Sequence, residues 1–345
     1  GINSAGRSIF DFSHQRMLFD SIDTKSQDEV LLSLGHLMST KERKTILNKT
    51  LIRTIDDNFF DDHNYRSPAL PTLAGGQLPS GFNPAKTYNS RQHPRGLAMT
   101  VFGLSDAVLS LGLPWEEILS KVPRQKISCV SGCAVAQADK YGMGGMFQAP
   151  MANSRITSKH MAMSLGEGSA DFGHAYVLGS MGSTGSYTGA CATFQYNLKL
   201  GISMIQSGES LISVVGAAES GIVPEIYEAF SATKGLAEDE NLIKLQEKLG
   251  EDFDEPNHRK ICRPFGENIG MSLGESAQFV ILMADSLALD LGLNIHGAAL
   301  SSHIHADGYK KSISGPGAGN YLTVGKVFNE IKKHFGQEAM NKTFF

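Results

Sequence analysis

The segment from Leu211 to Ala217 reads Leu-Ile-Ser-Val-Val-Gly-Ala, too continuously apolar for a strand with one wet face. Such a run fits a strand covered on both sides. Before it, Ala192 to Gln206 places Ala192, Leu198, Ile202 and Ile205 close to one stripe at helical spacing, and Gly208 stops that helix. Similar units recur along the chain. Ile127 to Ala136 has strand character, Ala277 to Met283 is an apolar strand, Ala284 to Leu291 a helix, and Ile295 to Ile304 a long strand. Tyr321 to Phe335 forms an amphipathic helix through Leu322, Val324, Val327, Phe328, Ile331 and Phe335. Strands alternating with helices imply a layered α/β fold. The looser echo of the strand–helix–strand unit after Ser276 suggests internal duplication.

The remaining stretches are less regular. Residues 1 to 65 are polar, with candidate helices at Gln27–Leu37 and Lys41–Ile55, and residues 66 to 96 are rich in Pro, Gly and Asn. Gly1-Ile-Asn-Ser-Ala-Gly6 lacks the Lys-Ser/Thr of a phosphate loop and reads as a turn. Gly96 to Leu111 is a helix, and Pro114-Trp115 opens another, with Trp115 as a packing residue. Asp139 to Pro150 reads as a flexible Met/Gly loop that packs loosely or lines an apolar tunnel. Ser154 to Leu165 and Glu219 to Phe230 read as helices, the second kinked at Pro224. Ala237 to Pro256 is a charged surface excursion.

Bulk properties narrow the function classes. A chain of 345 residues holds two domains or one duplicated one. The formal net charge of −4 gives no reason to expect a nucleic-acid or membrane surface. No apolar run approaches the ~20 residues of a membrane-spanning helix. The four cysteines, Cys129, Cys133, Cys191 and Cys262, match no zinc spacing, so no metal site is expected. So few cysteines in so long a chain read as reduced thiols in the cytoplasm.

Cys191 carries the clearest chemical signal. It follows a Gly/Ser/Thr-rich approach, Gly179 to Gly189, and opens the helix that precedes the buried strand. The first turn of a helix leaves N–H groups unpaired and carries partial positive charge. Both favour thiolate, the reactive form, and the same N–H groups can stabilise an oxyanion. The small neighbours Gly189, Ala190 and Ala192 leave room for a substrate. A buried cysteine packing as a small hydrophobe is the alternative.

Gly189-Ala190-Cys191-Ala192-Thr193 with its helix, and the Leu211-to-Glu219 strand, resemble the β-ketoacyl-[acyl-carrier-protein] synthases. Arg263-Pro264-Phe265-Gly266, Gly274-Glu275-Ser276-Ala277-Gln278-Phe279, Ser301-Ser302 and the Ser312-to-Gly317 loop fall in that family's order. The resemblance covers about Ile127 to Phe335. The Gly1-to-Ser8 opening is similar to a longer bacterial branch that initiates fatty-acid synthesis.

The resemblance implies a thiolase-like α/β fold: two similar halves in five layers, α-β-α-β-α, with the second half incomplete in this chain. Residues 1–270 would form the N-terminal half bearing Cys191, and 271–345 the start of the C-terminal half. It implies acylation of Cys191 by an acyl thioester or acyl-CoA, then condensation with malonyl-acyl carrier protein and loss of carbon dioxide. No resident cofactor is implied, because phosphopantetheine arrives on acyl carrier protein or CoA; Ser312 would approach that pantetheine arm. A homodimer is implied, with no nucleic-acid or membrane partner.

The family's two histidine motifs do not occur in residues 1–345. Thr343-Phe344-Phe345 reads as the first residues of a strand, so the chain is expected to be a fragment that does not condense by itself. His174, upstream of the glycine-rich approach, is a candidate neighbour of Cys191. His303 and His305 alternate on one strand face near Asp307 and read as structural. The competing functions are a cysteine-nucleophile acyltransferase or hydrolase, and a non-catalytic partner subunit, which would have no need of Cys191.

Overall fold

The computed structural model describes residues 53–54, 72, 74–90, 92–251, 255–263, 265–310, 315 and 317–344. Its centre is a four-stranded sheet of β1 (Ile127–Gly132), β2 (Thr184–Gly185), β3 (Ile212–Glu219) and β4 (Ser276–Met283), in spatial order β2-β1-β3-β4. β1 lies parallel to both β2 and β3, with Ile127 opposite Ile212 and Cys129 opposite Thr184. β4 runs antiparallel to β3 along its whole length, from Ile212 opposite Met283 to Glu219 opposite Ser276. Every residue of β1 is buried, and β3 is buried from Ile212 through Gly216. Continuous burial of parallel strands requires cover on both faces.

Helices supply that cover. On one face lie α1 (Arg95–Leu109), which α2 (Trp115–Lys121) follows, and, beyond α3 (Met143–Met151), α4 (Gly168–Gly173). Leu104, Val108, Trp115, Ile118, Ile127 and Ile212 belong to the buried cluster here, each side chain contributing about 1.5–3 kcal/mol of burial. The Trp115 indole N–H donates to the Leu178 carbonyl at 2.8 Å, which confirms it as a packing residue. On the other face lies α5 (Thr193–Gln206), packed on β1 and β3. Next come α6 (Pro224–Ala232), α7 (Asp239–Lys248), α8 (Asp285–Asp290) and α9 (Gly319–Phe344). Three of the five expected layers, α-β-α, are therefore formed among the described residues. Residues 276–283, which the division at 270 assigned to the second half, complete this sheet.

Several elements differ from the sequence reading. The buried stripe of α5 is Thr193, Asn197 and Gly201, not Ala192, Leu198, Ile202 and Ile205. A Cβ at Gly201 would stand 2.4 Å from Val215 Cγ2, so the helix sits too close to the sheet for large side chains. The Met/Gly loop is mostly helix α3; Gly144 and Gly145 rest on the backbone carbonyls of Ala138 and Lys140, where a Cβ would come within 2.0 and 1.9 Å. Those glycines permit close approach rather than looseness. Between Ser154 and Leu165 only Ser158–Ala162 is helical. Glu219 ends a strand, and Pro224 starts α6 instead of kinking a longer helix. The charged excursion contains α7, which buries Leu242, Leu245 and Gln246.

Ile295 to Ile304 is not a strand, because no described strand lies alongside to pair with it. The chain there is held by side chains and isolated bonds, with Asn294 N–H donating to Leu111 O at 2.9 Å. Thr343 and Phe344 lie in α9, not in a strand; the helix is broken at Gly336, where φ is 82°, and resumes. The candidate helices before residue 56 and the Gly1–Gly6 turn lie outside the described residues, apart from Arg53–Thr54, which pair with Ala74–Gly75.

Candidate active site

The parallel strands direct their following loops to one end of the sheet. The loop after β2 carries the chain from Ser186 to the N-cap of α5, Ala192, with Cys191 just before it. The turn is tight: Ala192 N–H donates to Gly189 O at 2.9 Å and Thr193 N–H to Ala190 O at 3.0 Å. Ala190 has φ of 48°, a left-handed conformation uncommon without glycine. Gly189 lies against the Tyr196 ring, where a Cβ would come within 2.6 Å of Cε2.

This turn leaves Cys191 exposed and free. Among the described residues, the N–H groups of Cys191, Phe194 and Gln195 have no acceptor, whereas that of Tyr196 bonds Ala192 O at 3.1 Å. A thiol beside unpaired N–H donors at the foot of a 14-residue helix suits nucleophilic attack on a carbonyl.

The other cysteines are set differently. Cys129 is buried in β1, and burial pushes its thiol up to about 12. Cys133 is buried just beyond β1; its thiol donates to Glu219 Oε2 at 3.0 Å, and burial followed by the Glu219 charge pushes it up further. Cys262 is exposed, but it follows a short 3₁₀ turn and its sulfur accepts the Ser272 N–H at 3.0 Å.

The remaining candidates fall elsewhere or outside the described residues. Ser312 and Ser314 lie outside them. His174 Nδ1 bonds Ser180 Oγ at 2.7 Å and has no bond to Cys191. His303 Nε2 pairs with Glu330 at 3.0 Å, and His305 Nδ1 meets Thr323 Oγ1 at 3.1 Å. Both histidines thus face α9. Ser302 reaches the nucleophile's helix, donating from Oγ to Gln195 O at 3.5 Å. Glu275 accepts Arg95 Nε at 2.5 Å, tying the Gly-Glu-Ser-Ala segment to the start of α1.

No methionine of α3 lines the cavity of about 480 Å³ beside His93, Arg95 and Asp139, and neither does Cys191. Among the described residues, no group of three or more His, Cys, Asp or Glu is placed to hold a metal ion. The residues that sequence reasoning missed are Thr193, which bonds the turn itself, and Asn197, which bonds Tyr187 in the approach loop. Their signal was the four-residue spacing of Thr193, Asn197 and Gly201, a small and polar stripe where an apolar one was sought.

Comparison with known proteins gives a consistent picture. Residues 120–288 match the family described as Beta-ketoacyl synthase, N-terminal domain. The whole chain is 45% identical to the β-ketoacyl-[acyl-carrier-protein] synthase FabY of Pseudomonas aeruginosa and spans 66% of that relative's length. The crystal structure of the noncanonical ketosynthase FabY from P. aeruginosa superposes with a TM-score of 0.78 at 34% identity, covering 99% of this chain and 65% of that one. A β-ketoacyl synthase from Burkholderia phymatum STM815 shares the fold, with a TM-score of 0.56 at 19% identity over 75% of this chain and 58% of the other.

Proposed function

The chain belongs to the β-ketoacyl synthase family, and from that premise we propose that it is the nucleophile-bearing part of an enzyme that condenses an acyl group with malonyl-acyl carrier protein. Cys191 Sγ attacks the acyl thioester carbonyl. The unpaired Cys191 N–H donates to the tetrahedral oxyanion, and the carrier thiol leaves as the acyl-cysteine forms. In the second step the malonyl carboxylate is lost as carbon dioxide. The electron pair of the broken C–C bond attacks the acyl-cysteine carbonyl, forming the new C–C bond, and the Cys191 thiolate departs. The histidines that would stabilise decarboxylation have no family-type motif within residues 1–345.

The observation that carries this reading is the contrast between the exposed Cys191, beside open N–H groups, and the sealed Cys129 and Cys133. Acyl carrier protein, or CoA as acyl donor, brings the phosphopantetheine, so the enzyme needs no resident cofactor. A homodimer is part of the proposal, supported by the exposed Phe147, Met151, Ile156 and Met161, which are close together in sequence. The cytoplasm is the proposed location. Among the described residues no helix is long and apolar enough to cross a membrane.

Mass spectrometry after incubation with an acyl thioester tests the first step. A stable acyl adduct on Cys191 that is absent in Cys191→Ala is expected. An adduct confined to Cys129, Cys133 or Cys262 would overturn the assignment, and steady release of free acid would make the protein a hydrolase.

A further inference from the structure

Thr193 bonds the turn that presents the thiol, and Asn197 bonds the loop that leads into it. The Thr193 hydroxyl donates to Ala190 O at 2.7 Å and accepts the Gly189 N–H at 3.2 Å, so it grips the chain on both sides of Cα of the left-handed Ala190. Asn197 is fully buried one helical turn further along. Its Oδ1 accepts the Tyr187 N–H at 2.7 Å, and its Nδ2 donates to Gly216 O of β3 at 3.3 Å. The two side chains thus connect the approach loop, the nucleophile turn, the helix and the sheet.

Each bond has a structural reason to exist. A left-handed alanine is less stable than an extended or right-handed one. Released, Ala190 would relax, and the Cys191 peptide on its C-terminal side would rotate with it. That rotation would reorient the Cys191 N–H, the donor proposed for the oxyanion. Two backbone bonds of the turn close around the same residues, but neither holds the Gly189 N–H or the Tyr187 N–H. Those two donors bond only to Thr193 and Asn197 side chains among the described residues.

We infer that Thr193 and Asn197 are positioning residues for Cys191: a hydroxyl–amide clamp that holds Ala190 left-handed and so sets the thiol beside its oxyanion donor. The inference deepens the proposed reaction; the acylation arm of its test rests on that reading, while the alkylation arm does not. Thr193→Val keeps the branched shape and removes the hydroxyl, whereas Thr193→Ser restores it.

The rate of Cys191 alkylation by iodoacetamide is measured in each variant, alongside acylation by an acyl thioester and the Tm. Alkylation of the exposed Cys262 serves as internal control. Thr193→Val should slow both reactions of Cys191 at least tenfold with Cys262 unchanged, and Thr193→Ser should stay within threefold of the parent. Asn197→Ala should slow Cys191 in the same direction. Unchanged Cys191 rates in a folded Thr193→Val would overturn the clamp. So would equal losses in Thr193→Ser and Thr193→Val that follow the Tm, since that pattern means packing alone. If Thr193→Val fails to fold, the Thr193→Ser and Asn197→Ala rates decide: an Asn197→Ala rate equal to the parent's overturns the clamp. If the parent is alkylated at Cys191 but not acylated by any thioester, the proposed function fails and the alkylation rates of the variants alone decide the clamp.

Discussion

The two faces of the central sheet are packed on opposite terms. On the α1 and α4 side, Ile127, Cys129, Ile212 and Val214 project into an apolar cluster with Leu104 and Trp115. On the α5 side, Ser128 bonds Ser213 at 3.0 Å, and Gly201 lets the helix approach Ser213 and Val215. The first face excludes water and stabilises by area. The second trades side-chain volume for a short helix–sheet distance, which fixes the direction in which α5 points its N-terminus. A thiol is chemically idle on the first face and available at the end of the second. The chemistry follows the face, not the residue type.

Thiol counting with an aromatic disulfide reagent is the sharpest way to break this comparison. Cys191 and Cys262 are exposed and free, while Cys129 and Cys133 are free but buried. The native protein should titrate two thiols rapidly, and the unfolded protein four. Rapid reaction of all four in the native state would mean the closed face is open. Next in size is a pair of packing changes followed by denaturant unfolding. Leu104→Ala, in the fully buried cluster, should cost about 2–5 kcal/mol with little effect on Cys191 alkylation. Gly201→Val should cost about 1–3 kcal/mol by overpacking and should also slow Cys191, because it lifts α5 from the sheet. Equal effects of the two on Cys191 reactivity would erase the distinction between the faces.

The smallest effect concerns charge on α1. Burial pushes the Asp106 carboxyl up to about 6. A folded value raised above the unfolded one adds stability that is fully present below about pH 4 and is lost as pH rises through about 6. At pH 7 the ionised, buried carboxylate is a net burden. Asp106→Asn should therefore raise the Tm at pH 7 by a few degrees, on the order of 1 kcal/mol, and flatten the Tm profile between about pH 4 and 6. A lower Tm at pH 7 would point to a role for the charge that desolvation does not capture.

The parts of the fold that were legible share one trait: their pattern survives tertiary packing. Leu211 to Ala217 reads as a doubly covered strand because nothing else accommodates that run, and Ile212–Glu219 is one. Ala277 to Met283 lies within Ser276–Met283 for the same reason. Legibility failed where a residue's meaning depends on what lies opposite. Gly144 and Gly145 looked loose but mark a close stack of α3 on the preceding backbone. Ile295 to Ile304 has strand composition, but a strand exists only with a partner. In the site, Cys191 stood out through its small neighbours and following helix. Thr193 and Asn197 did not, because a buried polar residue declares its role only through the groups it bonds.

The sequence by itself determined the central strands within Ile212–Glu219 and Ser276–Met283, the helix that precedes the first of them and the doubly covered centre, and it singled out the thiol proposed as the nucleophile. These depend on local pattern, and local pattern is written residue by residue. The tertiary structure alone decided which cysteines are sealed, how near α5 lies to the sheet and which side chains hold Ala190 in its left-handed turn. Those properties belong to pairs of groups distant in the chain, such as Tyr187 with Asn197 and Cys133 with Glu219. Only folding brings such pairs within hydrogen-bonding distance.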